Sequence, residues 1–221
     1  CLEGVGIHSG TMNQIRCCPT EIPGIRFVCD FAGGVIVPVS VESLSHTNRA
    51  TILKVKDVYV QTPEHLLSAC FGLGVTDLEI HISAPEIPIL DGSAQLFFEA
   101  MMGVGLRETQ EIVTPFCIRG LSRVGTSTCY IEATPSDQFE IHFTLDYPES
   151  FVGTQAANYV FSQATYLTEI ASARTYGFEH EVMALLAQGL AKGGCFDNAL
   201  IIGEDDYASP LRFENELARH K

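Results

Sequence analysis

Alternating apolar and polar residues mark strands in the first half of the chain. Leu78, Ile80 and Ile82 alternate with polar residues, and this period of two predicts a strand with one buried face. Valine-rich segments at 35–39 and 53–60 predict two further strands, because β-branched residues favour extended backbone. The first half therefore contains the strands of at least one sheet.

A helix is predicted over 62–70, between two of these strands. Thr62 is a suitable N-cap, and Pro63 fits the first helical position because an N–H there would have no partner. Gly72 and Gly74 follow the apolar stretch and are typical of a helix end.

The second half of the chain repeats this order in outline. A second helix, begun by Asp91 and ended by Gly103, closes the first half. Strands are then predicted near 112–119, 128–133, 139–145 and 199–202, and helices near 181–189 and 213–221. Strands and helices in blocks, twice over, predict an α+β fold with two similar subdomains, which we place at 1–110 and 111–221.

Charge and length narrow the classes of protein to consider. The 221 residues include 13 basic and 27 acidic side chains, giving a formal net charge of −14, and the basic residues form no cluster. Nucleic acid is not expected as a partner, because neutralising phosphates requires clustered cations. No apolar stretch approaches the ~18 residues of a membrane-spanning helix, so no integral membrane segment is expected.

The eight cysteines indicate a reducing compartment. They are scattered through apolar segments without a C-x-x-C pair, so most are expected to act as small hydrophobic residues in the cytoplasm. The sequence opens on Cys1 rather than Met, from which we expect the natural N-terminus to lie further upstream.

Glu64 and His65 are the first candidates for chemistry. They fall in the first turn of the predicted helix, where the helix dipole favours an ionised carboxylate and a neutral imidazole. An ionised Glu can act as a general base and a neutral His can ligate a metal. A Glu in a first turn is also ordinary capping chemistry, and a neighbouring His is often simply solvated. Local pattern leaves both interpretations open.

His220 is the second candidate. Phe213, Leu217 and His220 share one face of the last predicted helix, so this histidine continues an apolar stripe. A lone histidine there is more often a hydrogen-bonded core residue, whereas a second buried histidine nearby would make a metal site plausible. The other histidines are weaker candidates: surface solvation is expected for His81, His142 and His180, and loop structure for His8 and His46, which could also edge a cleft.

Six segments of the chain carry a combined signal: Gly4–Gly10, Thr62–Leu67, Ala84–Ala94, Ala173–Phe178, Gly193–Asp197, and Leu211–Glu214 with Arg219–Lys221. Each segment is weak evidence alone. Together, and in this order from the first residues to the last, they resemble one enzyme family, the UDP-3-O-acyl-N-acetylglucosamine deacetylases, zinc enzymes of lipid A synthesis.

The resemblance implies an α+β fold whose helices are sandwiched between two sheets, and a Zn²⁺ cofactor. Glu64 corresponds to the carboxylate that activates the attacking water, and His65 and His220 correspond to two zinc ligands. Thr175 corresponds to a hydroxyl that helps to hold the oxyanion. The implied substrate is a small molecule, a UDP-linked acylated N-acetylglucosamine, which a cytoplasmic and monomeric enzyme deacetylates with release of acetate.

The resemblance also implies substrate-binding residues. The residues implied are Lys221 at the nucleotide-sugar end, the aromatic contacts Tyr176 and Phe178, and Val182, Ala191, Cys195 and Ile201 along an apolar passage for the acyl chain.

The chain departs from the family pattern at its C-terminal end. The family's third zinc ligand is an aspartate one helical turn past the second, which would fall beyond Lys221. We therefore expect a C-terminal truncation, weak zinc binding and no activity from the 221 residues alone. The alternative is a catalytically inactive fragment or scaffold that binds a UDP-sugar or an acyl chain. The segment 47–51 is also more polar than the family's usual one, which affects the expected shape of the cleft edge.

Overall fold

The computed structural model describes residues 1–109 and 114–221 and has the α+β composition that the sequence predicts. The strands are β1 (Leu2–Val5), β2 (Met12–Cys18), β3 (Ile25–Cys29), β4 (Val35–Pro38), β5 (Leu44–His46), β6 (Ile52–Val55), β7 (Val58–Gln61), β8 (Leu78–Ile82), β9 (Ser122–Gly125), β10 (Tyr130–Ala133), β11 (Glu140–Tyr147), β12 (Gly153–Val160), β13 (Tyr176–Phe178) and β14 (Leu200–Ile202). The helices are α1 (Glu64–Leu73), α2 (Gln95–Val104), α3 (Gln163–Thr165), α4 (Glu179–Ala187) and α5 (Glu216–His220), with 3-10 turns at Asp30–Ala32 and Val41–Ser43 and a π-helical turn at Tyr166–Ile170.

A five-stranded sheet organises the first half. Its strand order is β1-β2-β8-β3-β4, with β3 and β8 parallel and the other pairs antiparallel. Leu78, Ile80 and Ile82 of β8 are buried and the residues between them are partly exposed, which confirms the strand predicted from alternation. The apolar face of this sheet forms one wall of the main core.

The predicted single strand at 53–60 is wrong. The segment is a hairpin in which Leu53 of β6 pairs with Val60 of β7. Lys56 and Asp57 form the turn, and Lys56 has a φ of 53°, in the left-handed region that tight hairpins use. Two adjacent charged residues inside an otherwise apolar segment are the sequence signal of this turn.

The predicted N-cap of α1 is also wrong. Pro63, not Thr62, occupies the cap position, and the helix begins at Glu64 without a side-chain cap. Thr62 has a φ of 55°, and its hydroxyl donates a hydrogen bond to Glu86 at 3.2 Å. The hydroxyl therefore links α1 to a distant segment instead of satisfying the helix end. Gly74 ends the helix as predicted.

The other helices differ from their predicted limits mainly at their first turns. Helix α2 begins at Gln95 rather than Asp91, because the Asp91 carboxylate accepts hydrogen bonds from the Ser93 backbone N–H and hydroxyl in a local turn. Its end is Val104, followed by Gly105 rather than Gly103. Of the two helices predicted in the second half, α4 starts at Glu179. Helix α5 starts at Glu216, so Phe213 lies outside the helix.

The helices lie between the five-stranded sheet and the β11–β12 pair. Helices α1 and α2 bury Leu66 and Phe97 against Phe27 of the sheet. On their other side Tyr166 packs against Gly72, where a Cβ would overlap its ring, and the Tyr166 hydroxyl lies 2.8 Å from the Ser68 hydroxyl. Helix α5 packs on β11 and β12. This layering agrees with the predicted sandwich.

The predicted boundary between the subdomains, at 110/111, falls on residues 110–113, which lie outside the described residues, and stays a prediction. The strand predicted at 112–119 falls partly there too, and 114–119 contain no strand. Within the described residues, no helix combines the length and the hydrophobicity needed to cross a membrane. Of the cysteines, Cys29 and Cys70 are buried as expected, whereas Cys1, Cys117, Cys129 and Cys195 are exposed.

Candidate active site

A cavity of ≈ 1000 Å³ opens where α1, α5, β13 and the loop before β14 meet. Segments far apart in the sequence supply its walls, so the fold rather than local pattern assembles it. Ten of the residues proposed from the sequence line this cavity: Glu64, His65, Thr175, Tyr176, Val182, Ala191, Cys195, Ile201, His220 and Lys221.

The two candidate metal ligands lie side by side. The ring centroids of His65 and His220 are 5.1 Å apart, with the rings inclined at 74°. Burial lowers the pKa of His65 to about 4, partly opposed by Asp91. Burial also lowers the pKa of His220 to about 3, and the proximity of His65 and Lys221 contributes to this. Both imidazoles are therefore neutral at pH 7, the form that can ligate a metal.

Hydrogen bonding selects the tautomer of His220. Its Nδ1 lies 3.1 Å from the carbonyl oxygen of Ala173, which can only accept, so Nδ1 carries the proton. The other ring nitrogen, Nε2, is then left with a free lone pair. Metal-ligating histidines commonly have their second nitrogen bound to a carbonyl or carboxylate in this way.

This geometry suits a shared zinc ion. At the observed ring separation, one nitrogen of each imidazole would be able to ligate the same ion. Catalytic zinc sites have three protein ligands. Residues 1–109 and 114–221 contain no group of three or more His, Cys, Asp or Glu side chains placed for a metal. The described residues thus supply two candidate ligands here, one fewer than a catalytic zinc site takes.

Glu64 lies beside the histidine pair at the first position of α1. Burial raises the pKa of its carboxyl, an effect that its own backbone N–H and that of Thr51 partly offset. The Thr51 N–H donates to the carboxylate at 3.3 Å. A raised pKa brings a carboxylate closer to the neutral range in which a general base is most effective.

Thr175 faces the same cavity from the residue before β13. Its backbone N–H donates to the Gly92 carbonyl at 2.7 Å, and its carbonyl accepts from Leu200 at 2.8 Å. These bonds fix the backbone on both sides of the side chain. Gly92 has a φ of 81° and packs so closely on Asn198 and Thr175 that a Cβ would not fit, so the close approach depends on glycine.

The proposed aromatic and basic substrate contacts occupy different environments. Lys221 Nζ lies 5.1 Å from the centroid of the Tyr176 ring, and the Tyr176 hydroxyl is 3.0 Å from that of Tyr147. Phe178 does not line the cavity. Its ring packs edge-on against Tyr147, with centroids 5.0 Å apart, within the second apolar core. The structure thus brings Tyr176 and Lys221 to the histidine pair and leaves Phe178 outside.

An apolar side of the cavity contains Val182 of α4 together with Ala191, Cys195 and Ile201. The loop that carries Ala191 and Cys195 is held against residues 6–10, since the Gly193 N–H donates to the Ile7 carbonyl at 3.0 Å. A Cβ at position 193 would overlap the Gly6 carbonyl. The segment Gly193–Asp197 therefore packs tightly on the N-terminal loop.

Two residues given little weight in the sequence are part of this site. His8, expected in a loop, lines the cavity, and its Nδ1 accepts the Ala191 N–H at 3.4 Å. The buried Glu86 carboxylate accepts the N–H groups of His8 at 2.8 Å and Ser9 at 2.6 Å. Glu86 therefore shapes the N-terminal loop. No local periodicity signals this role, although the resemblance included both segments.

An ion pair at the rim joins the polar segment 47–51 to α4. Nη1 and Nη2 of Arg49 donate to the Glu181 carboxylate, at 2.9 and 3.0 Å. The guanidinium lowers the pKa of Glu181. Both side chains are partly exposed, so the pair contributes little to stability, but it defines the edge of the cavity where the sequence departs from the family pattern.

A buried histidine pair with an adjacent carboxylate beside an apolar cavity wall, in an α+β fold, is the side-chain chemistry of a hydrolase. The sequence profile described as LpxC: UDP-3-O-acyl N-acetylglycosamine deacetylase matches residues 1–221, so the chain belongs to this family.

Three curated relatives agree with this assignment. Proteins named UDP-3-O-acyl-N-acetylglucosamine deacetylase from Leptospira biflexa, Myxococcus xanthus and Chlamydia muridarum are each 35% identical to this chain. In every case the match covers 100% of this chain, and it covers 74%, 71% and 79% of the respective relatives.

Proposed function

We propose that the protein is a zinc-dependent amidohydrolase that removes the N-acetyl group of a UDP-3-O-(3-hydroxyacyl)-N-acetylglucosamine, the committed step of lipid A synthesis. The observation that carries the proposal is the neutral pair His65 and His220 beside the Glu64 carboxylate in one cavity. The family and the names of the relatives support the substrate, and the acidic chain without basic clusters agrees with a small-molecule partner. We place the reaction in the cytoplasm and expect a monomer.

Each side chain of the site has a separate role in the proposed hydrolysis. His65 and His220 would hold the zinc, which when bound supplies a Lewis acid and makes a water molecule more acidic. Glu64 accepts the proton of the attacking water. The Thr175 hydroxyl donates to the acetamide oxygen as it becomes negative; a contact of this kind is worth about 3–4 kcal/mol in the transition state. Lys221 binds the nucleotide-sugar end next to Tyr176.

The proposal is tested by acetate release. The product of the complete gene, supplied with zinc, is expected to convert the UDP-linked acylated N-acetylglucosamine into a free amine with one acetate per amine formed. A protein that binds this substrate without releasing acetate would refute the hydrolytic function.

The second candidate is a catalytically inactive scaffold that binds the UDP-sugar or acyl chain. The observation that favours it is the absence of a third metal-binding side chain from residues 1–109 and 114–221. The residue four positions after His220 in the complete gene separates the two proposals, because an aspartate there supports the enzyme and an apolar residue supports the scaffold.

The acyl passage gives a prediction about chain length. Replacing Cys195 with phenylalanine adds a ring to the apolar wall, and this is expected to raise KM for long-chain substrates about 10–100-fold while short-chain substrates are little affected, since one lost methylene contact is worth about 1–3 kcal/mol. Steady-state kinetics with a series of acyl lengths measures this. Cys117→Phe is the control, because Cys117 does not line the cavity. Equal effects on long and short chains would contradict the assignment of the passage.

A further inference from the structure

Glu216 is buried at the first position of α5, one helical turn before His220. Its carboxylate has four donors in hydrogen-bonding range. Arg174 supplies three of them: its Nε at 2.8 Å, its Nη2 at 3.0 Å and its backbone N–H at 3.0 Å. The fourth is the backbone N–H of Arg212, at 2.7 Å. The charge is thus matched by one guanidinium, and both carboxylate oxygens are satisfied.

One peptide group connects this carboxylate to the histidine. The Arg174 N–H that binds Glu216 and the Ala173 carbonyl that binds His220 Nδ1 belong to the same planar peptide unit. Rotating that unit to break one of these bonds also breaks the other. Helix α5 thereby binds both edges of a single peptide group through side chains four residues apart.

We propose that the Arg174–Glu216 ion pair is a positioning device for the metal site, acting on His220 through the Ala173–Arg174 peptide group. The proposal rests on the function proposed above for the histidine pair. The pair orients the Ala173 carbonyl, the carbonyl holds the proton of His220 on Nδ1, and the Nε2 lone pair stays available for the metal. Glu216 and Arg174 do not line the cavity and are positioning residues.

The Glu216 carboxylate also has an electrostatic effect on His220. A carboxylate that accepts the N–H of a peptide group polarises it, and its carbonyl becomes a stronger acceptor for the next hydrogen bond in the chain. A stronger acceptor at Nδ1–H makes Nε2 more basic. The result resembles the carboxylate–histidine–metal arrangements of other metal sites, with a peptide group inserted, and loss of such an outer partner typically costs about 10–100-fold in metal affinity.

The test compares three proteins encoded by the complete gene. The double variant Arg174→Met/Glu216→Met removes the pair and the acceptor for the peptide N–H, and apolar replacement of both partners of a buried pair is often tolerated by the fold. Arg174→Lys keeps the carboxylate and the peptide N–H and serves as the matched control. Glu169→Gln is a second control, because it removes the charge from a different ion pair of α5, the one between Arg219 and Glu169.

The first readout is the His220 tautomer in the metal-free proteins at pH 7, from long-range ¹H–¹⁵N NMR spectra. The Nδ1–H form is expected alone in the wild type and both controls, and mixed with the Nε2–H form in the double variant. The second readout is zinc affinity by chelator competition, expected to fall about 10–100-fold in the double variant only. An unchanged tautomer in a folded double variant would overturn the inference. Failure of the wild type to bind zinc would instead refute the proposed function, since the tautomer is measured without metal.

Discussion

Deacetylation by the Glu64→Gln variant is expected to be about 10²–10⁴-fold slower than in the wild type, the usual contribution of a positioned general base. Glutamine keeps the size of the side chain and can still accept the Thr51 N–H, but it cannot take a proton from water. Zinc binding should be unchanged, because the proposal assigns the metal to His65 and His220 rather than to Glu64. The loss is expected in kcat, with KM little affected. Steady-state kinetics and metal analysis of the same preparations measure both parts.

A matched control comes from another helix of the same half. Glu99 on α2 is exposed and accepts a hydrogen bond from the Gln95 side chain, so Glu99→Gln should leave turnover unchanged. Turnover of the Glu64→Gln variant within about threefold of the wild type would rule out the general-base role. Loss of zinc together with activity would show instead that Glu64 is part of the metal site.

The second large effect concerns stability. Arg174→Met is expected to lower the free energy of unfolding by about 3–5 kcal/mol, because it leaves the Glu216 carboxylate buried without its guanidinium. Urea denaturation at pH 7 measures the change. Arg107→Met, which removes an exposed ion pair with Glu21, is the control and should stay within about 1 kcal/mol of the wild type. A loss of less than about 1 kcal/mol in Arg174→Met would contradict the structure of the buried pair.

The same pair predicts a dependence on pH. Burial alone would raise the pKa of Glu216, but hydrogen bonds from the Arg174 side chain and from the backbone of Arg212 and Arg174 outweigh it and lower the pKa below 4.5. Between the folded and unfolded pKa values the unfolded chain binds more protons, so stability falls as the pH falls below about 4.5. The difference between the wild type and Arg174→Met should therefore shrink on acidification. A difference that grows at low pH would contradict this sign.

Local pattern was sufficient for parts of the fold where one interaction dominates. Strand β8 is predictable because burial of one face imposes a period of two on Leu78, Ile80 and Ile82. The start of α1 is not, because Thr62 is a good N-cap by type but donates its hydroxyl to Glu86, 24 residues away. Similarly, Asp91 is bound in a local turn and does not start α2. The predicted start of a helix is wrong where the polar side chain expected to cap it has its partner outside the helix.

The candidate site, like the fold, was predictable from the sequence only in part. Residue types and spacing alone left Glu64 and His220 with two interpretations each, and the resemblance to a family chose between them. The residues that stabilise the backbone around the site could not be predicted from local sequence, because their partners are distant in sequence. The His8 backbone N–H binds Glu86 across 78 residues, and Arg174 binds Glu216 across 42. A carboxylate between prolines or on a short helix has no pattern that reveals such partners.

The most direct test of the account is the zinc content of the product of the complete gene and of its histidine variants. The wild type is expected to contain about one zinc per chain, and His65→Ala and His220→Ala are each expected to lose nearly all of it, since under the proposal each removes one of three ligands. His142→Ala, at an exposed position on β11, is expected to keep it. Full zinc content in both His65→Ala and His220→Ala, or no zinc in the wild type, would contradict the account.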